Sequence, residues 1–321
     1  MIRTYRPSDD ASLLALWNTA GAAMGYAPLS PAAFHARIPG NPDFSPRLTF
    51  LLEQDGAILG FVTGCTGGSA PQGDRKGYLT CLILAPEADT DENTGLLLRA
   101  LEGALRAIGR EKLALSFFNP MRLPWILPGT PGHQHNNVPG AAVDWPLYTR
   151  MRDLGYAERS REQAMYLDLS AFVYPKTIME QEAVMAQKGY TVTQYDGSRH
   201  DGLLPMLESL GSPLWISEIT EAAARGQRLL VGLHGSTVAG FAGPIYPEET
   251  GRGYFAGIGV SPAFEHHGLG TLLFYRLCQA EKDAGAQYMS LFTGVSNPAR
   301  LIYEGAGFQT KRVFSVLEKD L

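Results

Sequence analysis

The same order of apolar and polar segments occurs once in each half of the chain. A hairpin pattern with its turn at Asp55-Gly56 is followed by an apolar strand that ends at Pro86. A second hairpin pattern, with its turn at His234-Gly235, is followed by an apolar strand that ends at Pro262. Turn residues between β-type runs are typical of hairpins. The repeat therefore predicts two domains built on one plan.

Each apolar strand leads into a helical pattern and then into another strand. Leucines recur at helical spacing over 97–105 and over 269–277, and Gly109 and Gly285 end the two patterns. Hairpins combined with a strand-helix-strand crossover predict an α/β class with a mixed sheet in each half. We place the boundary near Phe172.

The two halves differ in length. The first is about 24 residues longer between its strand-ending proline and its closing glycine, Gly155, than the second is up to Gly307. We therefore predict one domain over 1–172, with an insertion over 119–146, and a second domain over 173–321.

The composition argues against several classes of protein. With 45% hydrophobic and 18% charged residues the chain resembles soluble globular proteins. No apolar run reaches membrane-spanning length, and the first residues lack the apolar region of a secretory signal. A formal net charge of -5 without a Lys/Arg-rich stretch argues against nucleic acid as a partner. The odd, widely spaced cysteines indicate reduced thiols in a cytoplasmic protein; they are Cys65, Cys81 and Cys278.

The strand-to-helix junction at 257–273 carries the most specific chemistry. Backbone N–H groups at a helix start have no internal partner and carry partial positive charge, so they form a site for a phosphate group. Gly268 and Gly270 lack a Cβ, which lets a pyrophosphate approach the backbone closely. The alternative is a glycine-rich turn without a ligand.

The wider pattern resembles the signature of the GNAT N-acetyltransferases, Val-x-Pro followed by Arg/Gln-x-x-Gly-x-Gly/Ala. Val260, Pro262, Gly268 and Gly270 match it, and the resemblance extends over roughly 190–321. It implies two tandem GNAT-like acyl-CoA N-acyltransferase domains, with acetyl-CoA as the cofactor of the second. The implied contacts are Ile258, Gly259 and Val260 with the pantetheine arm, and Glu265, His266, His267, Gly268, Leu269, Gly270 and Thr271 with the pyrophosphate.

One position departs from the signature. Glu265 stands where the family has Arg or Gln, and a carboxylate near a pyrophosphate is unfavourable unless it points away. His266 and His267 would supply compensating donors, more effectively when protonated. The alternative for both histidines is simple exposure to solvent.

The segment 295–308 resembles a second GNAT pattern, Asn-x-Ala-x-x-x-Tyr-Glu-x-x-Gly-Phe. The resemblance implies that Asn297 and Tyr303 contact the cofactor near its thioester and that Arg300 also contacts the cofactor. A tyrosine hydroxyl near the sulfur can protonate the departing thiolate, so we assign Tyr303 as the general acid. The alternative is a tyrosine that only packs on its helix. The base stays open between a water chain and five residues, Glu218, Glu221, Glu248, Glu249 and Tyr254.

The first half has lost these features. Asp89, Asp91 and Glu92 surround its equivalent loop, and carboxylates there repel a pyrophosphate. Met151 stands at the position of Tyr303 and cannot donate a proton. We therefore interpret this half as a degenerate copy without a cofactor. His133 and His135 are weak indications of a metal, and we expect none.

The leading hypothesis is an N-acetyltransferase that binds one acetyl-CoA per chain and acetylates a primary amine of a small molecule or peptide. We expect the insertion, with Trp125 and Trp145, to shape the acceptor site, or else to cover only its own domain core. The alternatives for function are a non-catalytic acyl-CoA-binding or regulatory module and an aminoacyl transferase of GNAT-like fold. A dinucleotide oxidoreductase is weaker, because the G-x-G-x-x-G spacing is incomplete. Monomer and homodimer both stay open.

Overall fold

The chain forms two compact units in the computed structural model, which describes residues 1–67 and 73–321. The first unit comprises Met1–Ala164, Phe292–Ser296 and Thr310–Leu321, and the second comprises Met165–Leu291 and Asn297–Gln309. The units interleave along the sequence, whereas the predicted limits at 172 and 173 divide it once. Those limits stay a prediction.

Runs of strands are separated by helices along the chain. In chain order they are β1 (Ile2–Thr4), β2 (Thr49–Gln54), β3 (Ala57–Cys65), β4 (Lys76–Leu84), β5 (Lys112–Leu115), β6 (Trp125–Ile126), β7 (Gln134–His135), β8 (Ala141–Ala142), β9 (Ala157–Asp168), β10 (Tyr190–Gln194), β11 (Leu230–His234), β12 (Thr237–Gly243), β13 (Tyr246–Pro247), β14 (Arg252–Tyr254), β15 (Gly257–Val260), β16 (Tyr288–Gly294) and β17 (Gln309–Asp320).

The helices pack against these strands. They are α1 (Asp10–Leu16), α2 (Pro31–Arg37), α3 (Asp91–Ala107), α4 (Pro146–Asp153), α5 (Lys176–Gln187), α6 (Leu203–Ser209), α7 (Pro213–Ala224), α8 (Leu269–Asp283) and α9 (Arg300–Gly305). Within the ranges that the structure describes, none of them combines the length and apolar character that crossing a membrane requires.

The first unit is built on a mixed sheet. Strands β1 to β4 pair antiparallel in sequence order, β4 pairs parallel with β5, and β17 pairs antiparallel with β5. The predicted hairpin turn at Asp55-Gly56 is confirmed, since both residues have positive φ angles of 52° and 80°. Helix α3 lays its leucines on this sheet with no exposed surface at Leu97, Leu101 or Leu105.

The insertion at 119–146 belongs to the core of the first unit. The ring of Trp125 has no exposed surface, its Nε1 donates to Asn137 O at 2.9 Å, and it meets Phe314 edge-on at 5.0 Å between ring centroids. Trp145 is also buried and contacts Tyr26 and Phe314. A fully buried ring cannot touch a substrate directly. The structure therefore favours the alternative in which the loop covers its own domain core.

The second unit contains an antiparallel sheet in the order β10-β11-β12-β15. Its hairpin turn lies one residue later than predicted, because His234 still pairs with Thr237 and the turn falls on Gly235 and Ser236. Helix α8 follows β15, and β14 pairs parallel with β16. Hairpins and parallel crossovers in both units confirm the predicted α/β class.

Candidate functional site

The strand before the predicted cofactor loop is split into two parts with different partners. Its first part, β14, pairs with β16 at Gly253↔Met289. Its second part, β15, pairs with β12 from Gly243↔Gly257 to Gly240↔Val260. Among the described residues of this unit, β15 has a strand partner on one edge alone. The other edge of β15 has no strand partner among them, so its backbone groups are left for a ligand; we call this unpaired edge the slot.

The slot leads directly to the start of α8. This 15-residue helix has Gly268 as its N-cap, with a φ of 87° and no hydrogen bond from a capping side chain. A Cβ at Gly268 would lie 2.6 Å from the end of the flexible Gln181 side chain, which can shift, so the positive backbone angle is what requires glycine. At Gly270 a Cβ would lie 3.7 Å from Val260 Cγ2, an ordinary contact. The stricter requirement is therefore at Gly268, and the uncapped N–H groups fit a phosphate group.

The side chains of Glu265, His266 and His267 do not form one cluster. His266 has a φ of 63° and a side chain that is 94% exposed, and its Nε2 lies 4.0 Å from Glu265 Oε2. His267 stacks on Tyr190, with ring centroids 5.1 Å apart. Glu265 is half exposed, so its carboxylate has room to face solvent.

The glycines of β15 have a packing role that the sequence did not indicate. A Cβ at Gly257 would lie 2.5 Å from Trp215 Nε1, and one at Gly259 would lie 2.6 Å from Leu210 Cδ1. Trp215 also donates its Nε1–H to Ala256 O at 3.1 Å. These glycines thus admit side chains from α7 and its preceding loop. Close approach of a ligand is therefore not needed to explain them.

Tyr303 lies on α9 with its ring in the core of the second unit. It is 8% exposed and packs against Phe274 at 4.5 Å and Phe308 at 6.4 Å between ring centroids. Burial raises the pKa of its hydroxyl, which therefore stays protonated through the neutral range.

The two other residues of this motif have local partners. Asn297 Oδ1 accepts a hydrogen bond from Ala299 N at 3.0 Å. Arg300 pairs with Glu304 at 2.9 Å on the exposed side of α9. Their contacts with a cofactor stay a prediction.

The structure brings together two of the five candidate bases. Tyr254, the last residue of β14, donates its hydroxyl proton in a hydrogen bond to the Glu218 carboxylate from α7. Glu221 and Glu248 each pair with an arginine four residues away, and Glu249 is exposed. The sequence carried no signal for the pair, because 36 positions separate its members.

In the first unit the pairing of β4 with β5 also stops midway, but side chains of the same unit occupy the space beyond it. Pairing of β4 with β5 ends at Tyr78↔Ala114. Beyond it, Asn119 Nδ2 donates to Leu79 O at 3.0 Å, and Met121 lies against Thr80. The remaining cavity has a volume of only about 10 Å³.

The helix start of the first unit is also satisfied internally. Thr90 caps α3 by accepting from Asn93 N at 3.2 Å. Arg150 forms ion pairs with Asp89 and with Asp91, the latter at 2.7 Å. The buried Met151 stands beside it. The acidic loop was visible in the sequence, whereas its pairing with Arg150, 59 and 61 positions away, was not.

Comparison with known proteins agrees with this geometry. Residues 203–308 match the model of the acetyltransferase (GNAT) family. A GCN5-related glucosamine N-acetyltransferase region of a fungal multi-domain GH3 β-N-acetylglucosaminidase has a TM-score of 0.72 at 16% identity, over 99% of this chain and 38% of that one. This chain thus spans well under half of the fungal protein. No curated protein sequence matches the chain.

Two other solved structures cover the whole chain. The GCN5-related N-acetyltransferase from Sphaerobacter thermophilus has a TM-score of 0.67 at 13% identity, over 100% of this chain and 95% of that one. A tandem GNAT protein from the clavulanic acid biosynthesis pathway has a TM-score of 0.58 at 15% identity, over 100% and 98%. Residues 203–308 thus match the acetyltransferase (GNAT) family, and the chain has the fold of a tandem GNAT protein along its length.

Proposed function

We propose that the second unit transfers an acetyl group from acetyl-CoA to a primary amine of a small molecule or peptide. The observation that carries the proposal is the strand break after Gly253, which opens a slot leading straight to the uncapped helix start at Gly268. The fungal region of the same fold is described as a glucosamine N-acetyltransferase, so this fold accommodates a primary amine on a small molecule.

The chain would hold the cofactor mainly through its backbone. The N–H groups of Leu269, Gly270 and Thr271, in the first turn of α8, would bind the pyrophosphate. The unpaired edge of β15 would align the pantetheine arm. Gly259 would contribute only backbone groups, and Leu210 occupies the space where its side chain would be. Acetyl-CoA supplies the acetyl group as a thioester.

Tyr303 would supply the proton that the departing thiolate needs. Its Oη has no hydrogen-bond partner in the described ranges, and burial keeps its pKa above the usual value. The hydroxyl is therefore protonated and uncommitted at neutral pH, as a general acid requires.

The first unit would contribute no second cofactor site, since Asn119 and Arg150 already satisfy the groups that would bind one. We therefore propose one acetyl-CoA per chain. The cysteines that the structure describes are buried and free, which supports a protein that works in the cytoplasm.

Release of CoA from acetyl-CoA in the presence of primary amines tests the proposal. In Tyr303→Phe, turnover should fall by about 100-fold while the Kd for acetyl-CoA changes less than about two-fold, because only the proton donor is removed. Tyr275→Phe removes another buried hydroxyl from the same core and is the matched control, expected to keep near wild-type turnover.

Two results would contradict the proposal. Wild-type turnover in Tyr303→Phe would remove the tyrosine from the mechanism. Tight acetyl-CoA binding without CoA release for any primary amine would identify a non-catalytic acyl-CoA-binding module.

A further inference from the structure

The slot beside β15 has one closed end. It opens near Val260, where the chain leads to the helix start, and it closes where β14 and β16 pair again at Gly253↔Met289. A ligand with its phosphates at Gly268 therefore has its far end near Tyr254 and Ala256. Strand residues rise about 3.3 Å each, so the four positions from Val260 to Ala256 span roughly 13 Å.

At the closed end, the half-exposed carboxylate of Glu218 lacks a cation in the part of the chain that the structure describes. Glu218 is half-buried on α7, accepts the hydrogen bond from Tyr254, and forms no ion pair within the described residues. Arg252 lies beside Tyr254, with its guanidinium carbon 5.5 Å from the centre of the Tyr254 ring. Arg252 is already neutralised by Glu248, with contacts of 2.7 and 3.1 Å, and donates to Ser290 O at 3.2 Å. Glu218 is therefore left with uncompensated negative charge.

Apolar and aromatic surface adjoins this carboxylate. Tyr246 stacks on Tyr254 at 4.9 Å between ring centroids and keeps 39% of its surface exposed. Leu214, one helical turn before Glu218, is 47% exposed. Burial raises the pKa of Tyr246, and the negative charges of Glu248 and Glu218 raise it further. The exposed face of Tyr246 thus lies in a negative potential, which attracts cations to the ring and its surroundings.

We propose that Glu218, held in position by Tyr254, binds the ammonium group of the acceptor. The acceptor class is a primary amine on a short chain that ends in an apolar or aromatic group. The carboxylate accepts hydrogen bonds from the ammonium, and the ring of Tyr246 covers the apolar part. This inference rests on the proposed function and specifies its substrate.

The matched variants are on one helix. Glu218→Gln keeps the shape of the side chain and removes its charge, so the KM for an amine should rise by about 10- to 100-fold, the range for a hydrogen bond between charged groups. Glu221→Gln is the control, because Glu221 is exposed and pairs with Arg225 on the same helix. Tyr254→Phe keeps the stacked ring and frees Glu218, and we expect a smaller rise of about 3- to 10-fold.

The test is calorimetric titration of the full chain saturated with CoA. Phenethylamine is the probe, and 2-phenylethanol is its uncharged match. We expect the wild type and Glu221→Gln to bind phenethylamine at least about ten times more tightly than 2-phenylethanol. We expect Glu218→Gln to lose that preference while its Kd for acetyl-CoA stays within about two-fold of wild type.

Three results would overturn the inference and leave acetyl-CoA binding intact. They are equal binding of the amine and the alcohol by the wild type, absence of amine binding by the wild type, and an unchanged preference in Glu218→Gln. A wild type that binds no acetyl-CoA would instead overturn the proposed function, and the inference would fall with it.

Discussion

The two strand-to-helix junctions of the chain share a backbone plan and differ in what fills it. In both units the strand loses its parallel partner midway, after Tyr78 in one and after Gly253 in the other. In the first unit Asn119 donates to the freed carbonyl of Leu79 and leaves almost no cavity. A break in strand pairing therefore makes a binding slot only where no side chain of the same unit satisfies the freed groups.

The helix starts show the same difference in their electrostatics. The first unit caps α3 with Thr90 and pairs its acidic loop with Arg150. The second unit starts α8 at an uncapped glycine, Gly268. A buried donor or acceptor without a partner costs free energy, so the second arrangement needs a ligand or water where the first needs neither.

The largest expected effect comes from making the second helix start resemble the first. Gly268→Asp adds a negative charge and a Cβ at a φ of 87°, 2.6 Å from Gln181 Nε2. We expect acetyl-CoA binding to fall by about 1000-fold or more, because both the space and the positive potential for phosphate are lost. Calorimetric titration with acetyl-CoA measures the effect.

The control lies at the other end of the same helix. Gly285 has a φ of 93° and open space where a Cβ would be, so Gly285→Asp imposes similar backbone strain far from the slot. Its acetyl-CoA affinity should stay within a few-fold of wild type. Equal losses in the two variants would mean that strain in α8, and not phosphate binding, explains the effect.

A second prediction concerns the first unit, where a core substitution should lower the free energy of unfolding and leave acetyl-CoA binding unchanged. Trp125→Ala removes a fully buried ring and the donor to Asn137 O, so the free energy of unfolding should fall by about 3–5 kcal/mol. Urea denaturation measures the loss, and Ile108→Ala, at a side chain that is 52% exposed, should lose less than about 1 kcal/mol. The folded Trp125→Ala protein should bind acetyl-CoA as the wild type does; a large rise in that Kd would show that the insertion supports the cofactor site.

The sequence predicted the parts of the site that are local along the chain. The repeat, the α/β class and the glycine at the helix start follow from periodicity and from spacing within a few residues. Contacts between distant segments were not predictable. Asn119 fills the slot of the first unit, Trp215 explains Gly257, and Glu218 meets Tyr254 only after folding. The sequence left open whether the aromatic insertion lines an acceptor site or covers its own core, because aromatic residues serve both, and the burial of Trp125 and Trp145 favours the core.

A further prediction depends on pH and concerns the second unit alone. Glu281 has no exposed surface, and neither of its carboxylate oxygens has a hydrogen-bond partner within the described ranges. Burial raises its pKa from 4.5 to about 9, more than the charges of Arg252 and Arg228 lower it. The folded state therefore holds this proton at a pH where the unfolded chain has released it.

The sign of the effect follows from proton binding. The contribution of Glu281 is fully present below its unfolded pKa and is lost as the pH rises toward 9. The free energy of unfolding should fall by up to about 1.4 kcal/mol per pH unit in that window. Glu281→Gln cannot ionise and should become more stable relative to wild type between pH 5 and 9. Glu208→Gln, at an exposed position, should track the wild type, and parallel curves for all three proteins would contradict the assignment.

The stoichiometry of acetyl-CoA binding tests the central claim, that the second unit binds the cofactor and the first does not. Calorimetric titration of the full chain should give one acetyl-CoA per chain, and Gly268→Asp should abolish that single binding event. Two equivalent sites in the wild type, or one site that persists in folded Gly268→Asp, would contradict the account, because the first unit would then bind the cofactor despite Asn119 and Arg150.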